Sequence, residues 1–140
     1  MSERQEPVLQ MRLVVEAEDY ESAVRFYRDV LGLPEELAVA GPDGAQVTIL
    51  AAGRATLELA NPRQKRYIDQ VEVGRQVAPK FRLAFEVTDS SAVTARLTSA
   101  GAELIAPPTA TPWRSLNSRL SAPAGIQITL FEELEDRPDG

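Results

Sequence analysis

One strand-and-helix unit occurs twice in this chain, and that repetition constrains the fold more than any local propensity. The segment Lys80 to Gly101, KFRLAFEVTDSSAVTARLTSAG, repeats the opening strand and helix at a displacement of 70 residues: Arg12 falls on Arg82, Leu13 on Leu83, Glu16 on Glu86 and Asp19 on Asp89. Gly101 answers Gly32 after a one-residue slip. Any two strand-helix units look somewhat alike, but the matched order, spacing and terminal glycines point to duplication of one unit.

The surrounding segments fit the same plan. Val8 to Ala17, VLQMRLVVEA, is short and rich in Val and Leu, as a strand requires. Asp19 is placed to cap a helix in which Ala23, Phe26, Tyr27, Val30 and Leu31 recur at helical spacing before Gly32 ends it. Three strands are expected next, at Glu36 to Ala40, Gln46 to Ala51 and Ala55 to Ala60, divided by the Gly41-Pro42-Asp43-Gly44 turn and by Gly53. In the second half Asp89 or Ser90 caps a helix apolar at Val93, Leu97 and Ala100. Strands at Glu103 to Ala106, Ser115 to Ser121 and Ile126 to Phe131 follow, with Gly125 answering Gly53.

The stretch from Asn61 to Lys80 has no sustained period and is bounded by Pro62 and Pro79, so it is expected to be a long connection, either a lid or a linker between repeats. Tyr67 and Asp69 within it are candidates to form a lid or to pin the loop. The expected architecture is therefore α+β: two tandem βαβββ modules in a single domain over 1–140. Module one spans about 7–61, the connecting loop 62–79, module two about 80–134 and an acidic, solvating tail 135–140.

Composition narrows function by exclusion. A chain of 140 residues with 44% hydrophobic and 26% charged residues can bury an ordinary core. Its net charge of −6 comes from 21 acidic against 15 basic residues, and no basic cluster suggests nucleic acid. Neither a signal segment nor a membrane span is expected, which points to the cytoplasm. The chain contains no Cys and no His, which removes thiol chemistry, imidazole bases and the commonest transition-metal ligands.

The helix SAVRFYRDVLGL behind Asp19, together with the later AGAEL and APAGIQITLFE segments, resembles the vicinal oxygen chelate superfamily over roughly residues 8–134. That superfamily includes glyoxalases, extradiol dioxygenases, fosfomycin-resistance enzymes and bleomycin-binding proteins. The resemblance implies a curled mixed sheet that the two modules form around a cup-shaped cavity, within a homodimer able to exchange them. It also implies metal ligands from the first and last strand of each module, positions that here fall on Arg12, Glu58, Arg82 and Thr129. Of these only Glu58 is of the type found in metal-using relatives, and guanidiniums cannot ligate a cation, so no metal and no cofactor are expected.

Strand alternation gives a separate reason to place these side chains in the cup. Leu13 and Val15, and Phe81, Leu83 and Phe85, should face the helices, leaving Arg12, Val14, Glu16, Arg82, Ala84 and Glu86 toward the cavity. The same alternation at Leu57, Leu59, Ile128 and Leu130 turns Glu58 and Thr129 inward. The candidate ligand-binding set is Arg12, Val14, Leu50, Glu58, Arg82, Trp113, Arg119, Thr129 and Phe131, with Glu58 as the candidate catalytic base. Arg12 and Arg82 could clamp an anionic or carbonyl group, or join Glu58 in a structural salt-bridge cluster. Glu16 and Glu86, near strand ends, are expected to be solvated.

Two functions fit these residues. One is a metal-independent small-molecule-binding protein that sequesters an antibiotic or natural product. The other is a metal-independent lyase or isomerase with Glu58 as base and the two arginines on an anionic or carbonyl substrate. The expected partners are a small molecule and a second copy of the chain, with neither nucleic acid nor membrane.

Overall fold

The computed structural model of this chain describes residues 8–30 and 32–134; Leu31 of the expected first helix and the acidic tail at 135–140 lie outside the described residues. Strand β1 (Gln10–Glu16) leads to helix α1 (Tyr20–Val24), then to strands β2 (Glu35–Ala40), β3 (Gln46–Ala52) and β4 (Ala55–Ala60). After helix α2 (Pro62–Glu72), strand β5 (Phe81–Glu86) and helix α3 (Ser90–Ser99) precede β6 (Glu103–Ala110), β7 (Ser115–Ala122) and β8 (Ile126–Glu133). The fold is α+β, two βαβββ modules contributing to one mixed sheet of order β2-β3-β4-β1-β5-β8-β7-β6. It is an open sheet, because the outer strands β2 and β6 do not pair.

Duplication is written into the pairing. Strands β1 and β5 are antiparallel with Leu13 opposite Leu83, and the flanking pairs Arg12 with Ala84 and Val14 with Arg82 exchange under the 70-residue displacement. A pseudo-two-fold axis therefore passes between the two leucines. Each module joins its first and last strands in parallel, Val14 beside Glu58 and Ala84 beside Thr129, so Glu58 and Thr129 occupy equivalent places. Gly53 and Gly125 take φ of 69° and 70° just before the last strand of each module, a left-handed turn that glycine makes without steric cost.

Helices α1 and α3 cover one face of the sheet. Val24 of α1 packs on Leu50 and Leu59, while Val93 and Leu97 of α3 pack on Val87, Leu120, Ile128 and Leu130. The Asp19 and Asp89 side chains accept from backbone N–H groups of Ser22 and Ala92, as helix caps should. Beyond Val24 the first helix widens into a π-helical stretch, Arg25–Val30. This changes which residues meet the sheet: Ala23 and Tyr27 pack inward, whereas Phe26 and Val30, expected on the apolar stripe, are 54% and 72% exposed. Phe81 likewise does not reach α3 and is exposed at the start of β5, although Leu83 and Phe85 pack as expected. Strand β6 runs four residues past the expected Ala106, through Pro107 and Pro108, which an edge strand with register shifts tolerates.

The expected loop at 62–79 is instead largely α2. Asn61 caps it by accepting from the Gln64 N–H, and Pro62 stands in its first turn, where a missing N–H costs nothing. Its buried face is Gln64, Ile68, Asp69 and Glu72, a helical stripe carrying one apolar side chain. What holds this polar face down is Arg119 of β7, fully buried, whose Nη1 donates to Asp69 Oδ1 at 2.8 Å and whose Nη2 donates to Glu72 Oε1 at 2.7 Å. Asp69 Oδ2 also accepts the backbone N–H groups of Val77 and Ala78 at 2.7 Å each, fastening the chain that returns to β5. Among the described residues no helix is long and apolar enough to cross a membrane.

Removing one side of a buried ion pair strands the other charge. Arg119→Ala or Asp69→Ala is expected to lower the unfolding free energy by about 3–5 kcal/mol in a denaturant titration. Replacing Arg28, whose pairs with Asp29 and Glu35 lie in solvent, should change it little.

Candidate functional site

The face of the sheet opposite α1 and α3 curves around a cavity of about 400 Å³, closed on one side by α2 and bounded near β7 by Pro112 and Trp113. Its floor comes from the two parallel strand pairs: Arg12 and Val14 of β1, Glu58 of β4, Arg82 and Ala84 of β5, and Thr129 and Phe131 of β8. Val47 and Ile49 of β3, with Leu37 and Val39 of β2, form an aliphatic wall. At the mouth Trp113, 39% exposed, meets Tyr67 of α2 with ring centroids 5.9 Å apart.

The two arginines, equivalent by repeat, have unlike surroundings. Arg12 lies over the Phe131 ring at 4.6 Å, donates from Nε to Gln10 Oε1 at 2.9 Å, and holds Nη1 3.8 Å from Glu58 Oε1 and Nη2 3.9 Å from Glu133 Oε2. Arg82 is buried, and its Nη1 donates to Thr129 Oγ1 at 2.7 Å. Among the described residues it makes no ion pair, so the three-membered Arg12, Glu58 and Arg82 cluster does not close. Only its Arg12–Glu58 edge exists, longer than a hydrogen bond.

Burial raises the proton affinity of Glu58 above the ordinary carboxylate range; Arg82 and Arg12 oppose this, while Glu72 adds to it. Desolvation outweighs the two guanidiniums, the reverse of what their proximity alone would suggest. Burial, then repulsion from Arg119, lowers the proton affinity of Arg82, although a guanidinium stays charged at any ordinary pH.

The four positions that would hold a metal by resemblance do not make a cation site. Thr129 Oγ1 already accepts from a guanidinium, Glu58 faces another, and no group of three or more Asp or Glu side chains able to hold a metal occurs among the described residues. Two fixed positive charges would repel a divalent ion.

Seven of the nine candidate residues line the cavity: Arg12, Val14, Glu58, Arg82, Trp113, Thr129 and Phe131. Two do not reach it. Leu50 points to the α1 side, packed on Val24 and Leu59, because alternation along β3 gives the cavity Val47 and Ile49 instead. Arg119 faces the concave side but is sealed under α2 by Asp69 and Glu72, with Gln127 Oε1 accepting from it at 2.9 Å. Glu16 reaches Lys65 at 3.6 Å, and Glu86, held above its usual pKa by burial and by Glu133, stands at the Arg12 end. Asp69 pins the connection, whereas Tyr67 serves the cavity mouth.

Sequence reasoning missed Gln64, Ile68, Glu72, Ser115 and Asn117, which also line the cavity. The Asn61-Pro62 start was the available signal for α2. Asn117 Nδ2 donates to Glu72 Oε2 at 2.7 Å, and nothing in the sequence spacing announces that pair.

The glyoxalase-like domain family matches residues 12–131. The chain belongs to that family. Among solved structures this glyoxalase-like protein is similar to a hypothetical protein from Bacillus halodurans, at 16% identity and a TM-score of 0.71, over 94% of this chain and 98% of that one. It is also similar to the methylmalonyl-CoA epimerase of Mycobacterium tuberculosis, at 21% identity and a TM-score of 0.64, over 96% and 92%. A Vibrio splendidus member of the glyoxalase/bleomycin resistance protein/dioxygenase superfamily gives 13% identity and a TM-score of 0.62, over 89% and 99%. These likenesses establish the fold. No curated protein matches the chain significantly.

The raised proton affinity of Glu58 has a definite sign. The stability it contributes is complete below the unfolded value of 4.5 and is lost as pH rises through the higher folded value. Glu58→Gln keeps the shape and abolishes the ionisation. In a pH series of thermal melts its melting temperature relative to wild type is therefore expected to rise as pH climbs from 4.5 through the higher folded value and to level off above it; a gap that narrows instead would mean the arginines win over burial.

Proposed function

We propose that this glyoxalase-like protein binds a small organic molecule in the concave cavity without a metal and holds it unchanged, as a protein sequestering an antibiotic or natural product would. The carrying observation is the cavity itself: about 400 Å³, with aliphatic and aromatic walls and a few convergent polar groups on the floor. The superfamily includes both binding proteins and enzymes, so the choice rests on the site. Apolar walls supply most of the affinity, and Arg12, Glu58, Arg82 and Thr129 orient the polar end of the ligand.

A second reading is favoured by one particular observation. A buried carboxyl with raised proton affinity next to two guanidiniums suits proton abstraction beside a carbonyl, with Glu58 as base and an arginine stabilising the oxyanion. Solved methylmalonyl-CoA epimerases share this fold at 15–21% identity, which makes an isomerase the natural form of that alternative.

A thermal-shift screen of the whole chain against divalent metals and a diverse compound set separates the readings. A compound at about 100 times its dissociation constant should stabilise the fold by about 2.7 kcal/mol. Recovery of that compound unchanged supports sequestration. Turnover that Glu58→Gln lowers by about 10²–10⁴-fold would establish the enzyme. Stabilisation by a divalent metal alone would overturn the metal-independent reading.

A further inference from the structure

Arg82 and Arg119 are both deeply buried guanidiniums on neighbouring parts of one sheet, and the fold treats them differently. Arg119 has carboxylate oxygens at 2.8 and 2.7 Å and a side-chain carbonyl at 2.9 Å. Arg82, 8% exposed, has one hydrogen bond, to the neutral hydroxyl of Thr129, and no carboxylate within 4.0 Å among the described residues. The carboxylates nearest to it are engaged elsewhere, Glu58 facing Arg12 and Glu72 taken by Arg119 and Asn117. They compensate its charge at longer range but place no oxygen on its remaining N–H groups. A guanidinium carries five donors; among the described residues the sealed nitrogen without a partner is Nε of Arg119, whereas no nitrogen of Arg82 is both sealed and unpartnered, so its remaining donors stay open to water or to an arriving anion.

Arg82 lines the ligand cavity. A second void that touches Arg82, beside Asp69 and Lys80, measures about 10 Å³, room for one water and for no organic molecule. The same cavity is lined by Val14 and Phe131 on the sheet and by the Trp113–Tyr67 ring pair. Resting on the binding reading above, we propose that the ligand class is an amphipathic carboxylate whose carboxyl group takes a fork on Arg82 and whose aromatic or branched body fills the path to Trp113. Arg82 is then the anion receptor, and Arg12, held by Gln10, Phe131 and two carboxylates, is part of the wall rather than the second arm of a clamp. The net charge of −6 does not oppose this, because overall charge acts on approach rates while the fork decides the bound state.

The test uses matched probes on the full chain: 3-phenylpropionate, 1-naphthylacetate and indole-3-acetate, each against its primary amide, by calorimetry or ligand-observed NMR. At least one acid is expected to bind about tenfold tighter than its amide. Arg82→Gln should bring that ratio close to unity while the amide affinity persists, and Arg82→Lys should retain part of the preference. The ratio in the wild-type protein stands as a test even where a variant fails to fold. Amides that bind as tightly as the acids, or a preference that survives Arg82→Gln, would overturn the carboxylate assignment and leave the binding cavity standing. If neither acids nor amides bind, the binding reading falls as well.

Discussion

The buried grip of Arg119 on Asp69 and Glu72 is the interaction on which the site depends. Helix α2 has a predominantly polar inner face and would gain little by packing on an apolar sheet, so hydrophobic burial alone does not hold it there. Two charge-assisted hydrogen bonds from β7, with the Asp69 bonds to the following backbone, tie the helix to the second module while it also touches β3 and β4 of the first. That placement brings Gln64, Tyr67, Ile68 and Glu72 to the concave face and turns an open curved sheet into a walled cavity. Such a network stabilises only when its members are matched, which is why both carboxylates and the fully buried guanidinium occur together.

Within that frame the two modules have diverged at equivalent positions. Arg12 and Arg82 descend from one place in the repeat, as do Glu58 and Thr129. In one half arginine faces a carboxylate; in the other it has a hydroxyl. The near-symmetric backbone therefore carries an asymmetric electrostatic floor, with a compensated cation toward the Glu133 end and an under-bonded one nearer α2. An asymmetric floor under apolar walls can orient a ligand, which a symmetric one could not.

Much of this was legible before any coordinates. The displacement between Arg12 and Arg82 anticipated the two repeated modules, and period-two patterning placed Arg12, Val14, Glu58, Arg82 and Thr129 on one face. Leu50 was named as a candidate with no such patterning behind it: the run Val47-Thr48-Ile49-Leu50 carries apolar side chains on both faces, and Leu50 packs on the α1 side. The π-helical widening after Val24 is a register change that no propensity reports, and it sent Phe26 and Val30 to solvent. Helix α2 escaped an apolar-period reading because its buried stripe is Gln, Ile, Asp and Glu.

By itself the sequence determined the duplication, the strand faces and the absence of imidazole and thiol chemistry, since these follow from spacing, alternation and composition, which are local properties of the chain. Which buried charges meet was decided by tertiary structure alone. Arg82 and Arg119 are indistinguishable as letters, but their partners lie tens of residues away, and only the folded sheet and α2 determine which guanidinium finds two carboxylates and which is left facing the cavity.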